Sequence, residues 1–153
     1  MNDLWQSKFH QICVSHGGRF LRADVKREAR ALQKTYRSYA KNWRKLTDLV
    51  RSSLVFASFT DMARCLNAIA DDPEVVVLAT SASKMRLRQD YDCAELGGYR
   101  DVQLSARLTS PEARLRGCHE HIGEVQLHLD AMNQLKHGGG HKAYVLARNM
   151  RGQ

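Results

Sequence analysis

Glu124 is the residue most open to chemical use. It lies within Ile122 to Leu129, where Val125, Leu127 and Leu129 alternate with Glu124, Gln126 and His128. That is the period of a strand with one apolar and one polar face. A second acid, Asp48, immediately precedes Leu49 to Phe56, which reads as another strand although Arg51, Ser52 and Ser53 interrupt it. Gly97-Gly98-Tyr99-Arg100-Asp101 sets an aromatic and an arginine behind flexible glycines at the entrance of a third strand, Tyr99 to Leu108. There Val102, Leu104, Ala106 and Leu108 face one way, and Asp101, Gln103, Ser105 and Arg107 the other. An acid at one strand end and an acid inside a neighbouring strand can converge on one Mg2+, which takes one or two protein carboxylates and completes its shell with phosphate and water. Plain solvation of the polar faces, and a turn or cap role for Asp48, are the competing readings.

These residues need elements to position them. Met1 to His16 reads as a helix with Trp5, Phe9, Ile12 and Cys13 on one face and Gly17-Gly18 as its stop. Asp24 can cap a longer helix with an apolar stripe of Val25, Ala29, Leu32, Tyr36, Tyr39 and Trp43. Beside it runs a basic stripe, Lys26, Arg30, Lys34, Arg37 and Lys41. Lys26, Arg30 and Lys34, one turn apart, suit a polyphosphate along that face, or form a solvated surface. Thr60 caps a helix through Met62, Leu66 and Ile69, Glu74 to Ala79 reads as a buried strand, and Asp130 begins a last helix broken by Gly138-Gly139-Gly140. The order predicts an α+β domain: a mixed sheet of about four to five strands with helices mostly on one face.

With 153 residues, one domain over 1–153 is expected, and no repeat or linker divides it. Hydrophobic residues at 43% and charged residues at 26% place the chain among globular rather than disordered sequences. Val75 to Ala79 is too short to cross a bilayer, and Met1 to His10 lacks the apolar core of a secretory signal, so no membrane partner is expected. Cys13, Cys65, Cys93 and Cys118 are scattered, reading as reduced thiols of a cytoplasmic protein. Cys118, His119 and His121 have no closed zinc spacing. A net charge of +8 favours an anionic partner: nucleotide, nucleic acid or an acidic surface.

Four elements in order resemble RelA/SpoT-type synthetase domains, over about residues 22 to 148. Gly98-Tyr99-Arg100-Asp101 resembles the family's Gly-Tyr-Arg-Ser element, and Glu124-Val125-Gln126-Leu127-His128-Leu129 with Met132 its Glu-Ile-Gln-Ile-Arg-Thr element. Asp48-Leu49-Val50-Arg51-Ser52-Ser53 stands where the family has Asp-x-x-Gly-x-Arg, and Lys26 and Lys34 stand at two family lysines. The late Gly140-His141-Lys142-Ala143-Tyr144 is similar to toxin-associated variants. The chain departs from the family at Asp24, Arg51, Ser53 and Val145.

The resemblance implies a nucleotidyltransferase-like fold and an ATP:nucleotide 3′-pyrophosphokinase, with synthesis as its sole activity. It implies Asp48 and Glu124 as catalytic Mg2+ ligands, and Lys26, Arg30 and Lys34 on the ATP phosphates. Tyr99 would stack on the acceptor base, with Arg100, Gln126, His128 and His141 as further substrate contacts. GTP or GDP is the expected acceptor; an adenine nucleotide, a tRNA 3′ end and a homo-oligomer remain open. A catalytically silent nucleotide- or RNA-binding module of the same fold, and a basic nucleic-acid-binding domain, are the alternatives.

Overall fold

A computed structural model describes residues 1–79, 83–94 and 98–135. The N-terminal helix α1 spans Asn2–Ser15, and Trp5, Phe9, Ile12 and Cys13 are all buried, as their spacing predicts. It ends as expected at Gly17, whose φ of +73° lets the Gly18 amide return to the Cys13 carbonyl and the Gly17 amide to that of Val14. Strand β1 (Arg19–Arg22) follows, then α2 (Glu28–Ser38), a short 3-10 turn (Trp43–Lys45) and β2 (Arg51–Phe56). The chain continues through α3 (Phe59–Asp71), β3 (Val75–Leu78), β4 (Lys84–Met85), β5 (Val102–Leu108), α4 (Pro111–Leu115), β6 (Gly123–Leu129) and α5 (Asp130–Leu135).

The architecture is α+β with a mixed six-stranded sheet of order β1-β2-β6-β5-β3, and β4 also pairs with β5. Only β2 and β6 run parallel; every other pairing is antiparallel. Leu54 lies beside Leu127, which lies beside Val102, so one face of the three central strands is continuous apolar surface. Trp5 and Phe9 of α1 and Met62, Cys65 and Ile69 of α3 join the same core. The two buried thiols act as small hydrophobes there: burial pushes Cys13 up to about 11 and Cys65 up to about 12. The opposite face carries Glu124, Gln126 and His128 beside Gln103 and Ser105.

Several expectations change. Neither β1 nor β4 is signalled in the sequence, and the sheet gains both. The cap of α3 is Ser58, whose hydroxyl accepts from the Asp61 amide, rather than Thr60. Strand β3 is an edge strand with Val77 exposed, not a buried one. Helix α2 starts four residues beyond Asp24, with Arg27 at its cap, and it buries only Thr35. Its apolar stripe is turned outward: Val25, Leu32, Tyr36 and Trp43 are all about half exposed or more. Cations cover two of these rings instead, Lys41 over Tyr36 and Arg44 over Trp43. Among the described residues no helix is long and apolar enough to cross a membrane.

Gly123, the residue before Glu124, lies flat against Trp5; a Cβ there would meet the indole at 2.7 Å. Gly123→Ala should therefore cost about 1–3 kcal/mol of stability by overpacking. Urea unfolding checks this, and a change below about 0.5 kcal/mol would show that the indole yields freely.

Candidate active site

The polar end of the β2–β6 pair gathers the predicted residues. Asp48 lies three residues before β2, and Glu124 is the second residue of β6. Parallel pairing sets Arg51 beside Glu124, and the Glu124 amide donates to the Val50 carbonyl at 2.9 Å. Both carboxylates are 7% exposed, and each lies in the other's field, for the Asp48 charge raises the proton affinity of Glu124.

Lys26 is held in place by its backbone, not by helix α2 as expected. It precedes the helix, in an extended segment whose amide donates to the Leu49 carbonyl at 2.9 Å. That segment is anchored by Gln6, whose amide nitrogen donates to Ala23 and Arg51 carbonyls at 3.0 and 2.9 Å, while its oxygen accepts from Ser52. Both Lys26 and Lys34 donate to Asp48 Oδ2, Lys34 at 2.7 Å. Around them opens a cavity of about 630 Å3 lined by Lys26, Arg27, Arg30, Lys34, Arg37 and Arg51 against Asp24 and Asp48. Six cations against two acids give the cavity a net positive lining, which favours anions over cations. Arg30 stands in this wall as predicted, exposed and donating to Gln33. Arg51, noted in the sequence as a departure, adds a cation there.

The two carboxylates are shifted in opposite directions. Burial works to raise Asp48, but the Lys26 and Lys34 ammonium groups outweigh it and hold the carboxyl below its ordinary range. Glu124 is raised, first by burial and then by Asp48. Its oxygens are aimed by two amides: Gln126 donates to Oε1 at 2.6 Å and Gln103 to Oε2. Gln103 pairs with Gln126 across β5 and β6, a partnership that only the register reveals. Burial lowers Lys26, with Lys34 and Arg51 against the pull of Asp48, whereas Asp48 leaves Lys34 raised.

A divalent cation fits this donor set. Asp48 Oδ1 is buried and has no hydrogen-bond partner among the described residues. Among those residues no group of three or more His, Cys, Asp or Glu could hold a metal unaided. Two carboxylates are what Mg2+ takes from protein when phosphates supply the rest.

The acceptor-side residues divide. Tyr99 is half-buried and its hydroxyl is engaged, at 3.1 Å from Asp101 Oδ2 and 2.8 Å from His128 Nδ1. His128 is fully buried, and its Nδ1 lies against the Tyr99 hydroxyl. The Arg100 guanidinium donates to the carbonyls of Arg86, Arg88 and Tyr91 at 3.1, 2.6 and 2.9 Å. Five donors in a fixed fork make arginine suited to holding such a loop. His141, with His137, Gly138-Gly139-Gly140 and Tyr144, lies outside the described residues.

The two acids have opposite linkage to stability. Asp48 contributes stability above its ordinary value of 3.8, lost as pH falls through its lower folded value. Glu124 contributes while protonated, below its ordinary value of 4.5, and loses this as pH rises through its raised value. At neutral pH Asp48→Asn should destabilise by about 3 kcal/mol, leaving two lysines without their acid. Glu124→Gln should be neutral or stabilising by up to about 1 kcal/mol. At about pH 4 the gain vanishes and the Asp48→Asn loss persists. Urea midpoints at both pH values check this; equal losses in the two variants at neutral pH would contradict it.

No protein-family model matches the chain, and no curated protein is similar to it in sequence. Solved structures do match. The small alarmone synthetase 1 of Bacillus subtilis bound to pppGpp superimposes with a TM-score of 0.69 at 14% identity, over 95% of this chain and 76% of that one. The small alarmone synthetase 2 of the same organism gives 0.65 at 16% identity, over 96% and 76%. The complex of the type VI effector Tas1 with its immunity protein gives 0.54 at 22% identity, over 86% of this chain; the chain spans 57% of the length of that one. Such identities speak for fold and not for activity. The superpositions show that this chain has the fold of small alarmone synthetases and of the type VI effector Tas1.

Proposed function

We propose that this chain, a single domain, is an ATP:nucleotide 3′-pyrophosphokinase, moving the β,γ-pyrophosphoryl group of ATP to the ribose 3′-hydroxyl of GDP or GTP with Mg2+ as cofactor. The observation that carries this reading is the pair Asp48 and Glu124 at one end of β2 and β6, Asp48 lining a cavity with six cations and Glu124 buried in the field of Asp48. An ion-pair network that merely tied α2 to the sheet would account for Asp48, Lys26 and Lys34. It would leave unexplained why a second carboxylate is buried in the field of the first, at a cost in proton affinity.

Each residue has a task here. Asp48 and Glu124 would hold the metal, which supplies charge neutralisation as the β-phosphorus is attacked. Lys26, Lys34 and Arg30 would take the ATP phosphates, the lysines exchanging Asp48 for phosphate oxygens. Glu124, raised by burial and aimed by Gln103 and Gln126, is suited to accept the proton of the attacking 3′-hydroxyl. Tyr99 would hold the acceptor base by stacking, and Gln126 would border the acceptor. Two similar structures support this substrate class: one alarmone synthetase is bound to its product pppGpp, and another is a GTP pyrophosphokinase family protein from Streptococcus pneumoniae.

The test is to incubate the protein with labelled ATP, Mg2+ and, separately, GDP, GTP, ADP, AMP and bulk tRNA, and to separate the products. Labelled guanosine tetra- or pentaphosphate is expected, and Glu124→Gln should lower its rate by about 10²–10⁴-fold. Product with tRNA or an adenine nucleotide alone would reassign the acceptor. An ATP analogue bound without transfer to any acceptor would make the chain a nucleotide-binding module.

A further inference from the structure

The ring that would carry the acceptor base is not a free side chain. Asp101 is 1% exposed, so its ionised carboxylate needs donors on both oxygens. Arg86 supplies one to Oδ1 at 2.5 Å, and the Tyr99 hydroxyl supplies the other to Oδ2 at 3.1 Å. A phenol has one hydrogen; with it committed to the carboxylate, its oxygen can accept from His128 Nδ1 at 2.8 Å. That fixes His128 as the tautomer, or the cation, that carries a proton on Nδ1. The backbone is tied as well, since the Arg86 amide donates to the Asp101 carbonyl at 2.9 Å.

The relay therefore runs Arg86, Asp101, Tyr99, His128. It crosses from the segment after β4, past the entrance of β5, to the penultimate residue of β6. The phenol is gripped from two directions, and the rings of Tyr99 and His128 stand 6.0 Å apart at 44°. Burial and Asp101 push the Tyr99 hydroxyl well up, so it stays a neutral donor. Beyond the ring, Gly98 at a φ of +83° turns the chain into this position, its amide donating to the Cys93 carbonyl.

We propose that Asp101 and His128 are positioning residues that clamp the Tyr99 hydroxyl and so fix the plane of its ring for the base of the acceptor nucleotide. The inference rests on the transfer reading for the ligand it names. Its physical basis is preorganisation: a ring held in one orientation before binding loses little freedom when the base arrives.

A double-mutant cycle read by titration decides it. GDP and an α,β-methylene ATP analogue are titrated into the wild type, Asp101→Ser, Tyr99→Phe and the double variant, with thermal melting of each. Asp101→Ser and Tyr99→Phe should each weaken GDP by about fivefold to tenfold, the net scale of one ordinary intramolecular hydrogen bond. The double variant should be no weaker than Tyr99→Phe within about twofold, because Asp101 acts only through the hydroxyl that Phe lacks. The ATP analogue should bind all four alike. His128→Asn, whose amide stands near the place of Nδ1, should retain GDP affinity better than His128→Ala. Losses that multiply in the double variant, a folded Tyr99→Phe with wild-type GDP affinity, or equal losses of both nucleotides overturn the clamp. Tyr99→Phe removes a single oxygen and decides the matter even if Asp101→Ser fails to fold. GDP binding without transfer in the wild type overturns the transfer reading while the cycle still decides the clamp.

Discussion

Two buried carboxylates share one end of a parallel strand pair, and the rest of the structure is arranged around keeping them there. Asp48 and Glu124 repel, and burial sharpens the repulsion because little water screens it. The chain answers differently for each. Asp48 is neutralised by two lysines, one delivered by an extended segment bonded to Leu49 and one by helix α2. Glu124 receives only neutral amides, from Gln103 and Gln126, and carries the remaining cost as a raised proton affinity. The opposite face of the sheet supplies what this costs, through a core of Trp5, Phe9, Leu54, Phe56, Ile69 and Leu127.

The same balance explains why α2 is a poor core helix. Its strongest inward attachment is Lys34 on Asp48, with Thr35 its only buried residue. Its apolar stripe therefore faces outward, while Lys34 reaches Asp48 from the cavity wall. A helix fixed by an exchangeable ion pair can rearrange when phosphate competes for its lysine. A helix fixed by apolar burial would resist that, since losing a buried side chain costs about 1.5–3 kcal/mol.

Much of this was legible in the residues alone, where one face was buried and the other held polar groups. Strands β5 and β6 follow from strict alternation, and α1 from the spacing of Trp5, Phe9, Ile12 and Cys13. The convergence of Asp48 with Glu124 was legible because each adjoins a recognisable strand. What failed depended on partners distant in sequence. A two-residue apolar centre, Phe20 and Leu21 between arginines, gives no strand signal until β2 pairs with it. The stripe on α2 has helical period, but period cannot say which face meets the sheet. Lys26 looked helical because it continues the i, i+4 series, yet its backbone is drawn to Leu49 instead. Arg100 and His128 were read by type as substrate contacts; their partners, three carbonyls and the Tyr99 hydroxyl, emerge only from the fold.

The central claim is that Asp48 and Glu124 form one metal site from which the lysines move aside for phosphate. A crystal structure with Mg2+ and a non-hydrolysable ATP analogue tests it most directly. The account predicts a single Mg2+ bridging Asp48, Glu124 and the phosphates, with Lys26 and Lys34 on phosphate oxygens and no longer on Asp48. Nucleotide bound while both lysines still hold Asp48, or a metal that contacts neither acid, would contradict it.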